Sequence, residues 1–314
     1  MFQRAGEMKI GGLLVCGTVT IAFCLSYAAE CAELTNRVAD FRAESQLVVI
    51  PLSVTDRAGQ SVPGLSKTDF DVTEDGVAQP IWAISRWDAP ASIGVIVDTS
   101  GSMGNTLRRA QSALSALFHE TDPEDEAFLI RFASSPILET GFVHDPEEIS
   151  ARLLWAAPRG ATALFDAVFA GLDQMKRATN LHKALVVVTD GGDNHSRRTY
   201  GELLSAARES DAQVFVVAVR RHANDVDERR GRAQLDQLAN DTGGRMLIVD
   251  SDSSVKSAIA TINELIRTQY LLSYRPLNAS HDGKWHLVRV RLCPRAKESL
   301  YRVRSKSGYH AADR

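Results

Sequence analysis

The stretch that decides the fold reads Ile93-Gly94-Val95-Ile96-Val97-Asp98-Thr99-Ser100-Gly101-Ser102. Its first five residues form an uninterrupted apolar run, which is typical of a strand that is buried on both faces. Asp98, Ser100 and Ser102 follow at alternate positions, so one carboxylate and two hydroxyls leave a single tight turn together. Hard oxygen atoms clustered in this way favour a hard divalent cation.

Two later stretches supply matching oxygen atoms. Thr162 lies in Arg159-Gly160-Ala161-Thr162-Ala163-Leu164 and opens a predicted helix, and Asp190 ends a second apolar run that begins at Ala184. Asp98 and Asp190 are both expected at the carboxyl ends of strands, where doubly wound sheets bind their ligands. Three of the five oxygen donors are neutral hydroxyls, which leave a cation under-neutralised. An acidic group of a partner can then complete the shell of ligands.

These five residues resemble the metal-ion-dependent adhesion site of von Willebrand factor type A (VWA) domains. The resemblance implies that Ser100, Ser102 and Thr162 touch the ion directly, while Asp98 and Asp190 hold it directly or through water. It favours Mg²⁺, with Mn²⁺ or Ca²⁺ as alternatives, because Mg²⁺ takes six oxygen ligands and retains waters. It implies a protein partner with an exposed Asp or Glu. Thr162 matches in a more loosely defined stretch than the other four residues.

From Ser92 to Thr268, apolar runs alternate with amphipathic segments of helical length, which predicts an α/β fold with a doubly wound, mostly parallel sheet. Pro136 and Gly141 indicate a short edge strand or a turn between Ser135 and Val143. The predicted central strands are Ser92–Val97, Ala127–Phe132, Lys183–Thr189, Gln213–Val219 and Arg245–Val249. The predicted helices are Asn105–His119, Ala163–Arg177, Thr199–Ser210 with a cap at Ser196, Arg232–Thr242 and Ser254–Thr268.

The flanking segments consist of short strand-like runs. The predicted strands are Leu47–Thr55, Phe70–Glu74, Val77–Ile84, Tyr270–Tyr274, Trp285–Leu292 and Tyr301–Arg304, with residues 278–283 joining the fourth to the fifth. Neither flank has enough strands for a stable sandwich by itself. We therefore predict that segments 44–88 and 269–310 combine into one small β-sandwich-like domain beside the VWA domain at 91–268.

The flanks also resemble a bacterial family of exported VWFA-related proteins. The resemblance rests on Val54–Gly59, Leu65–Gly76, Tyr270–Tyr274 and Ser307–Tyr309. It implies that the protein is exported to the periplasm, the cell surface or the medium.

The N-terminal residues 1–29 support the same localisation. Arg4 and Lys9 precede an uncharged stretch from Ile10 to Ala29, which is the order of a secretory signal. The segment is either cleaved after Ala28 or retained as a membrane anchor, because about 20 uncharged residues can also span a bilayer. Cys31 and Cys293 would remain after cleavage, and they either pair in an oxidising compartment or stay as thiols.

Charge and motifs exclude several other functions. The formal net charge of −3, from 36 basic and 39 acidic residues, gives the protein no net positive potential that would attract nucleic acid. The Gly-x-Ser-x-Gly elbow, the dinucleotide fingerprint and the Walker motif are absent from the sequence, and His195 is interpreted as a loop histidine rather than a base. We therefore expect no enzyme. Two alternatives stay open: a structural envelope protein whose ion stabilises loops, and a metal-assisted phosphohydrolase.

Overall fold

A computed structural model describes residues 47–104, 107, 111, 114, 122–153, 158–220, 226–278, 282–293 and 300–311 of the 314-residue chain. The chain from Leu47 onwards groups into one unit by its contacts. The predicted signal or anchor at 1–29 and Cys31 lie outside the described residues. The role of this segment and the pairing of Cys31 with Cys293 therefore stay predictions. None of the described helices is long and apolar enough to cross a membrane.

The predicted strands and helices follow one another in the expected order, but the helix Pro146–Leu153 and the strand Gly308–His310 were not predicted. The strands are β1 (Val48–Asp56), β2 (Phe70–Glu74), β3 (Val77–Gln79), β4 (Ile81–Trp87), β5 (Ala91–Asp98), β6 (Glu126–Phe132), β7 (Pro136–Val143), β8 (His182–Thr189), β9 (Gln213–Val219), β10 (Met246–Val249), β11 (Gln269–Tyr274), β12 (Trp285–Leu292), β13 (Tyr301–Ser305) and β14 (Gly308–His310). The helices are α1 (Pro146–Leu153), α2 (Leu164–Met175), α3 (Tyr200–Glu209), α4 (Val226–Asp241) and α5 (Asp252–Arg267).

The central sheet has the strand order β10-β9-β8-β5-β6-β7. All neighbours in it are parallel except β6 and β7, which are antiparallel. The chain builds one half of the sheet outward from β5 and the other outward from β8, so the switch point lies between these two strands. The predicted doubly wound, mostly parallel sheet is confirmed, and of the two alternatives for residues 135–143 the structure has the edge strand, β7.

Alternating side chains of β5 explain why the sheet carries helices on both faces. Val95 and Val97 are buried in one apolar layer, which includes residues of α5, whereas Ile96 lies in the opposite layer with residues of α2. Only glycine fits at position 94 of β5, because a Cβ atom there would lie 2.3 Å from the Phe128 ring. The uninterrupted apolar run at the start of the motif is therefore a consequence of burial on both faces.

Two helix predictions were wrong at their N-terminal ends. Helix α4 begins at Val226 rather than Arg232, because charged residues and Gly231 continue the helix instead of preceding it. Helix α3 is capped by Thr199, whose hydroxyl accepts a hydrogen bond from the Glu202 N–H, and not by Ser196. The predicted helix at 105–119 is described only at positions 107, 111 and 114, where the chain is helical.

The two flanks combine into two four-stranded antiparallel sheets, with the orders β13-β1-β11-β4 and β14-β12-β2-β3. Their inner faces share one apolar core, to which Leu52, Val72, Leu272 and Val288 contribute from four different strands. Each sheet contains strands from both ends of the chain. The predicted sandwich-like arrangement of the flanks is thus confirmed.

The structure divides one predicted flanking strand and places two consecutive strands in different sheets. The predicted strand Val77–Ile84 is two strands, because Pro80 lacks the N–H that a continuous ladder needs, and β3 and β4 enter different sheets. β11 and β12 do not pair with each other. β11 pairs with β1 and β4, whereas β12 pairs with β2 and β14.

A buried histidine lies where the central sheet meets the flanking sheets. His182 is the first residue of β8, and its ring stacks on Trp87 of β4 with ring centroids 4.3 Å apart. Burial lowers the pKa of His182 to about 4, and the Arg267 charge lowers it further while Asp125 opposes the shift. Its Nε2 atom is buried without a hydrogen-bond partner among the described residues.

We predict that His182 makes folding stability depend on pH. The unfolded chain binds a proton at this residue near pH 6.5, whereas the folded chain does so only near pH 4. Stability is therefore full above pH 6.5 and falls as the pH drops toward 4, by about 2 kcal/mol between pH 7.5 and 5. Urea unfolding of wild type and His182→Gln across this range measures the difference. Parallel pH profiles of the two proteins would contradict the prediction.

Candidate metal centre

The parallel pairing of β5 and β8 places Asp98 beside the end of β8. Asp98 is buried and its carboxylate is held at both oxygens: Oδ1 accepts from the Ser100 N–H at 2.8 Å, and Oδ2 accepts from the Thr189 hydroxyl at 2.7 Å. Asp190 follows Thr189 directly and is buried as well. The two aspartates therefore lie at one edge of the sheet, at its switch point.

A short 3-10 turn at Gly101–Met103 carries the two serines. The Oγ atoms of Ser100 and Ser102 lie 2.9 Å apart, with Ser100 buried and Ser102 exposed. The turn is fixed to the neighbouring strand because the N–H and the hydroxyl of Thr99 both donate to the Phe132 carbonyl, at 2.7 and 2.9 Å. The alternate spacing of the serines thus brings both hydroxyls to the same point.

The loop that carries Thr162 is tied to the other two stretches by backbone hydrogen bonds. The Gly101 N–H donates to the Gly160 carbonyl at 3.1 Å. On the other side, the Thr162 N–H donates to Asn194 Oδ1 at 2.8 Å, and the Thr162 carbonyl accepts from the Asn194 N–H at 3.0 Å. Thr162 therefore lies between the serine turn and the loop that follows β8.

One open cavity of about 500 Å³ joins the three stretches. Ser102, Thr162 and Asp190 all line it. Asp98 and Ser100 do not line the cavity, but each is hydrogen-bonded beside it. The Ser100 hydroxyl contacts that of Ser102, and the Asp98 carboxylate accepts from Thr189, the residue before Asp190. The structure thus brings together all five residues that the sequence singled out, while their role as metal ligands stays a prediction.

The surroundings of Asp98 disfavour its negative charge, which a bound cation would stabilise. Burial raises the pKa of Asp98 to about 6, and the Asp190 carboxylate raises it further, although hydrogen bonds from Ser100 and Thr189 act against the rise. Asp98 forms no ion pair with any described residue. A buried carboxylate without a countercharge is destabilising, so the donor set fits a hard divalent cation.

Sequence reasoning missed the contribution of α4 to this site. Glu228, Arg230 and Gln234 of α4 line the cavity, together with Asp193 and Asn194 from the loop after β8. The predicted start of this helix at Arg232 leaves Glu228 and Arg230 outside any predicted helix. The only signal in the sequence is the spacing of Arg230 and Gln234, which puts them on one face of a helix.

His195 takes no part in the cavity. It is exposed, and its backbone N–H donates to the Thr162 carbonyl at 3.1 Å. Its position agrees with the interpretation of His195 as a loop residue.

Gly231 allows α4 to approach the site. A Cβ atom at Gly231 would lie 1.8 Å from the Gly191 carbonyl oxygen, which is a backbone atom next to Asp190. The helix therefore packs directly against the turn that carries the second aspartate.

We predict that Gly231→Ala destabilises the protein by about 1–3 kcal/mol, because α4 or the turn at Gly191 must move. The matched control is Gly201→Ala in α3, where the nearest atom is 4.0 Å from the added Cβ. Helix propensity alone favours alanine at both positions by up to about 1 kcal/mol. Urea unfolding measures both variants, and equal stabilisation of the two would show that the close approach at Gly231 is unimportant.

Comparisons with known proteins agree with this architecture. Residues 93–192 match the family model for the von Willebrand factor type A domain. This region of the chain therefore has the VWA fold, as the resemblance of its oxygen-bearing residues implied. No curated protein sequence matches the chain.

Solved structures are similar at low identity. The von Willebrand factor type A protein from Catenulispora acidiphila is 9% identical with a TM-score of 0.50, over 87% of this chain and 75% of that one. The conserved hypothetical protein BatB from Bacteroides thetaiotaomicron is 21% identical with a TM-score of 0.46, over 57% and 100%. The vWF domain of the type V pili tip protein Mfa5 from Porphyromonas gingivalis is 11% identical with a TM-score of 0.48, over 57% and 96%. Of these, the Catenulispora protein supports the fold, and only the fold.

Proposed function

We propose that this chain is an exported, non-enzymatic protein-binding module that captures an acidic group of a partner through a bound Mg²⁺. The observation that carries the proposal is the convergence of Ser102, Thr162 and Asp190, from three separate stretches, on one cavity. The VWA fold adds support, because this convergence lies at the carboxyl edge of its sheet. Export rests on the N-terminal pattern of basic and uncharged residues.

Asp98, Ser100, Ser102, Thr162 and Asp190 would hold the ion. When bound, Mg²⁺ supplies a positive charge and coordination positions for a carboxylate of the partner. The protein's own contribution is to hold the oxygen atoms in place: Thr189 and Ser100 orient the Asp98 carboxylate, and Asn194 orients the backbone of Thr162. Arg230 adds one positive side chain to a lining that also carries Asp190, Asp193 and Glu228, so the preference for an acidic partner rests on the bound cation.

We predict that the isolated chain binds one divalent cation through these residues. Electron paramagnetic resonance of added Mn²⁺, with Mg²⁺ as competitor, measures the binding. Asp98→Asn and Thr162→Val are expected to weaken it by about tenfold or more, because each removes an oxygen ligand or its charge.

Two matched variants control this experiment. Thr162→Ser keeps the hydroxyl and is expected to retain binding. Asp173→Asn removes an exposed carboxylate of α2, which pairs with Lys176 at 3.0 Å, and is expected to leave binding unchanged. Equal affinity in wild type, Asp98→Asn and Thr162→Val would remove the metal hypothesis.

We further predict that capture of the partner requires both the ion and an acidic group. Pull-downs from envelope extract with wild type and Asp98→Asn, each in Mg²⁺ and in EDTA, are expected to retain the partner only with wild type in Mg²⁺. Mutation of the contacting Asp or Glu of the recovered partner to Asn or Gln is expected to abolish capture. Capture that survives EDTA would favour the structural alternative, in which the ion only stabilises loops. Phosphoester turnover that disappears in Asp190→Ala would indicate a hydrolase instead.

A further inference from the structure

Three arginines gather where the flanking sheets meet the VWA domain. Arg302 and Arg304 lie two residues apart on β13, and Arg245 directly precedes β10. A β-bridge between Thr242 and Lys306 brings the segment before β10 alongside the end of β13. The two β13 arginines are therefore on one face of the strand, and the third comes from a distant part of the chain.

The register of β13 shows which face carries these arginines. Arg304 is paired with Ser53 and Arg302 with Thr55 of β1. Ser53 and Thr55 alternate with Leu52 and Val54, which belong to the core of the sandwich. Paired residues of an antiparallel sheet point to the same side, so both arginines lie on the face turned away from that core.

The three positive charges repel one another. Burial lowers the pKa of Arg245, and the charge of Arg302 lowers it further. Burial likewise lowers the pKa of Arg304, as do the charges of Arg245 and Arg302, with only Asp236 acting in the other direction. None of the three forms an ion pair within the part of the chain that the structure describes.

Two of these guanidinium groups also have buried donors that nothing in the described chain satisfies. The atoms are Nη1 of Arg245 and both Nε and Nη1 of Arg304. Buried N–H groups in native proteins are nearly always hydrogen-bonded, to protein, water or a bound ion. Repelling charges together with three unpaired buried donors destabilise the fold unless an acceptor of opposite charge is present.

Glycines shape the surroundings of Arg245. A Cβ atom at Gly59 would lie 3.0 Å from Nη1 of Arg245, so the guanidinium group rests against the turn that ends β1. Gly243 has a φ of +81°, and a Cβ atom there would lie 2.7 Å from the Lys306 nitrogen. Both glycines thus permit the close approach of backbone segments that assembles the arginines.

We propose that Arg245, Arg302 and Arg304 form a binding site for a tetrahedral oxyanion, a phosphate or sulfate group. A guanidinium group donates through a planar fork that matches pairs of oxygen atoms on such anions. A tetrahedral oxyanion offers enough acceptors for all three buried donors, and a dianion offsets more of the three charges than a single carboxylate does. The bound anion links β13 to the segment before β10 and so holds the flanking sheet against the VWA domain. The site is independent of the proposed metal centre.

The test uses the full chain in a phosphate-free buffer with chloride at matched ionic strength. Isothermal titration with inorganic phosphate and with sulfate is expected to show one site in wild type, and each anion is expected to raise Tm. Arg304→Met is expected to weaken binding by about tenfold or more, because it removes two of the buried donors. Arg289→Met, on the exposed face of β12, makes the same charge change away from the cluster and is expected to leave binding unchanged.

Tm without phosphate or sulfate supplies an independent readout. Arg304→Met is expected to raise this Tm, because it removes an unpaired buried charge, and to abolish the increase that phosphate causes. Should Arg304→Met fail to fold, Arg302→Met tests the same cluster at an exposed position. Glycerol 2-phosphate distinguishes the source of the anion: binding equal to that of phosphate indicates a site open to esterified groups, and binding of the inorganic ions alone indicates a free anion.

Three outcomes would overturn the proposal. They are no binding of phosphate or sulfate beyond the effect of chloride, equal loss of affinity in Arg304→Met and Arg289→Met, and a lower Tm of Arg304→Met that is the same with and without phosphate. The last result would assign Arg304 a purely structural role.

Discussion

The parallel pairing of β5 with β8 is the constraint on which the candidate site depends. It sets the carboxylate of Asp98 within hydrogen-bonding distance of Thr189, and Asp190 follows in the next position. Because β5 and β8 flank the switch point of the sheet, the connections on either side turn away and leave room above the strand ends. A shift of either strand by one residue would separate the two aspartates and move their side chains to opposite faces.

The loops above the sheet are held by the protein itself. The serine turn is hydrogen-bonded to Gly160, and the Thr162 loop is hydrogen-bonded to Asn194. These contacts join three stretches that are distant in sequence and fix their backbones relative to one another. The buried carboxylate of Asp98 accepts two hydrogen bonds, but no described residue forms an ion pair with it. Such a conflict between burial and charge is common at functional sites.

Much of the fold and most of the site could be predicted from local pattern. Buried parallel strands read as apolar runs, and α2 has apolar residues at helical spacing. The spacing of Asp98, Ser100 and Ser102 is also local, so their convergence follows from one turn. The start of α4 could not be predicted in the same way, because Gly231 reads as a break. Only its packing against Gly191 explains why a glycine continues the helix there.

The sequence by itself determined the strands of the VWA domain and the oxygen-bearing residues, because burial and turns leave a periodic trace in neighbouring residues. Tertiary structure alone decided which flanking strands pair. Pro80 ends β3, yet nothing local states that β4 joins another sheet. It also decided that Arg245 lies near Arg304 and that Arg230 lines the cavity of the candidate site. The physical reason is that such contacts arise from packing between segments far apart in the chain. The pattern of neighbouring residues does not determine that packing.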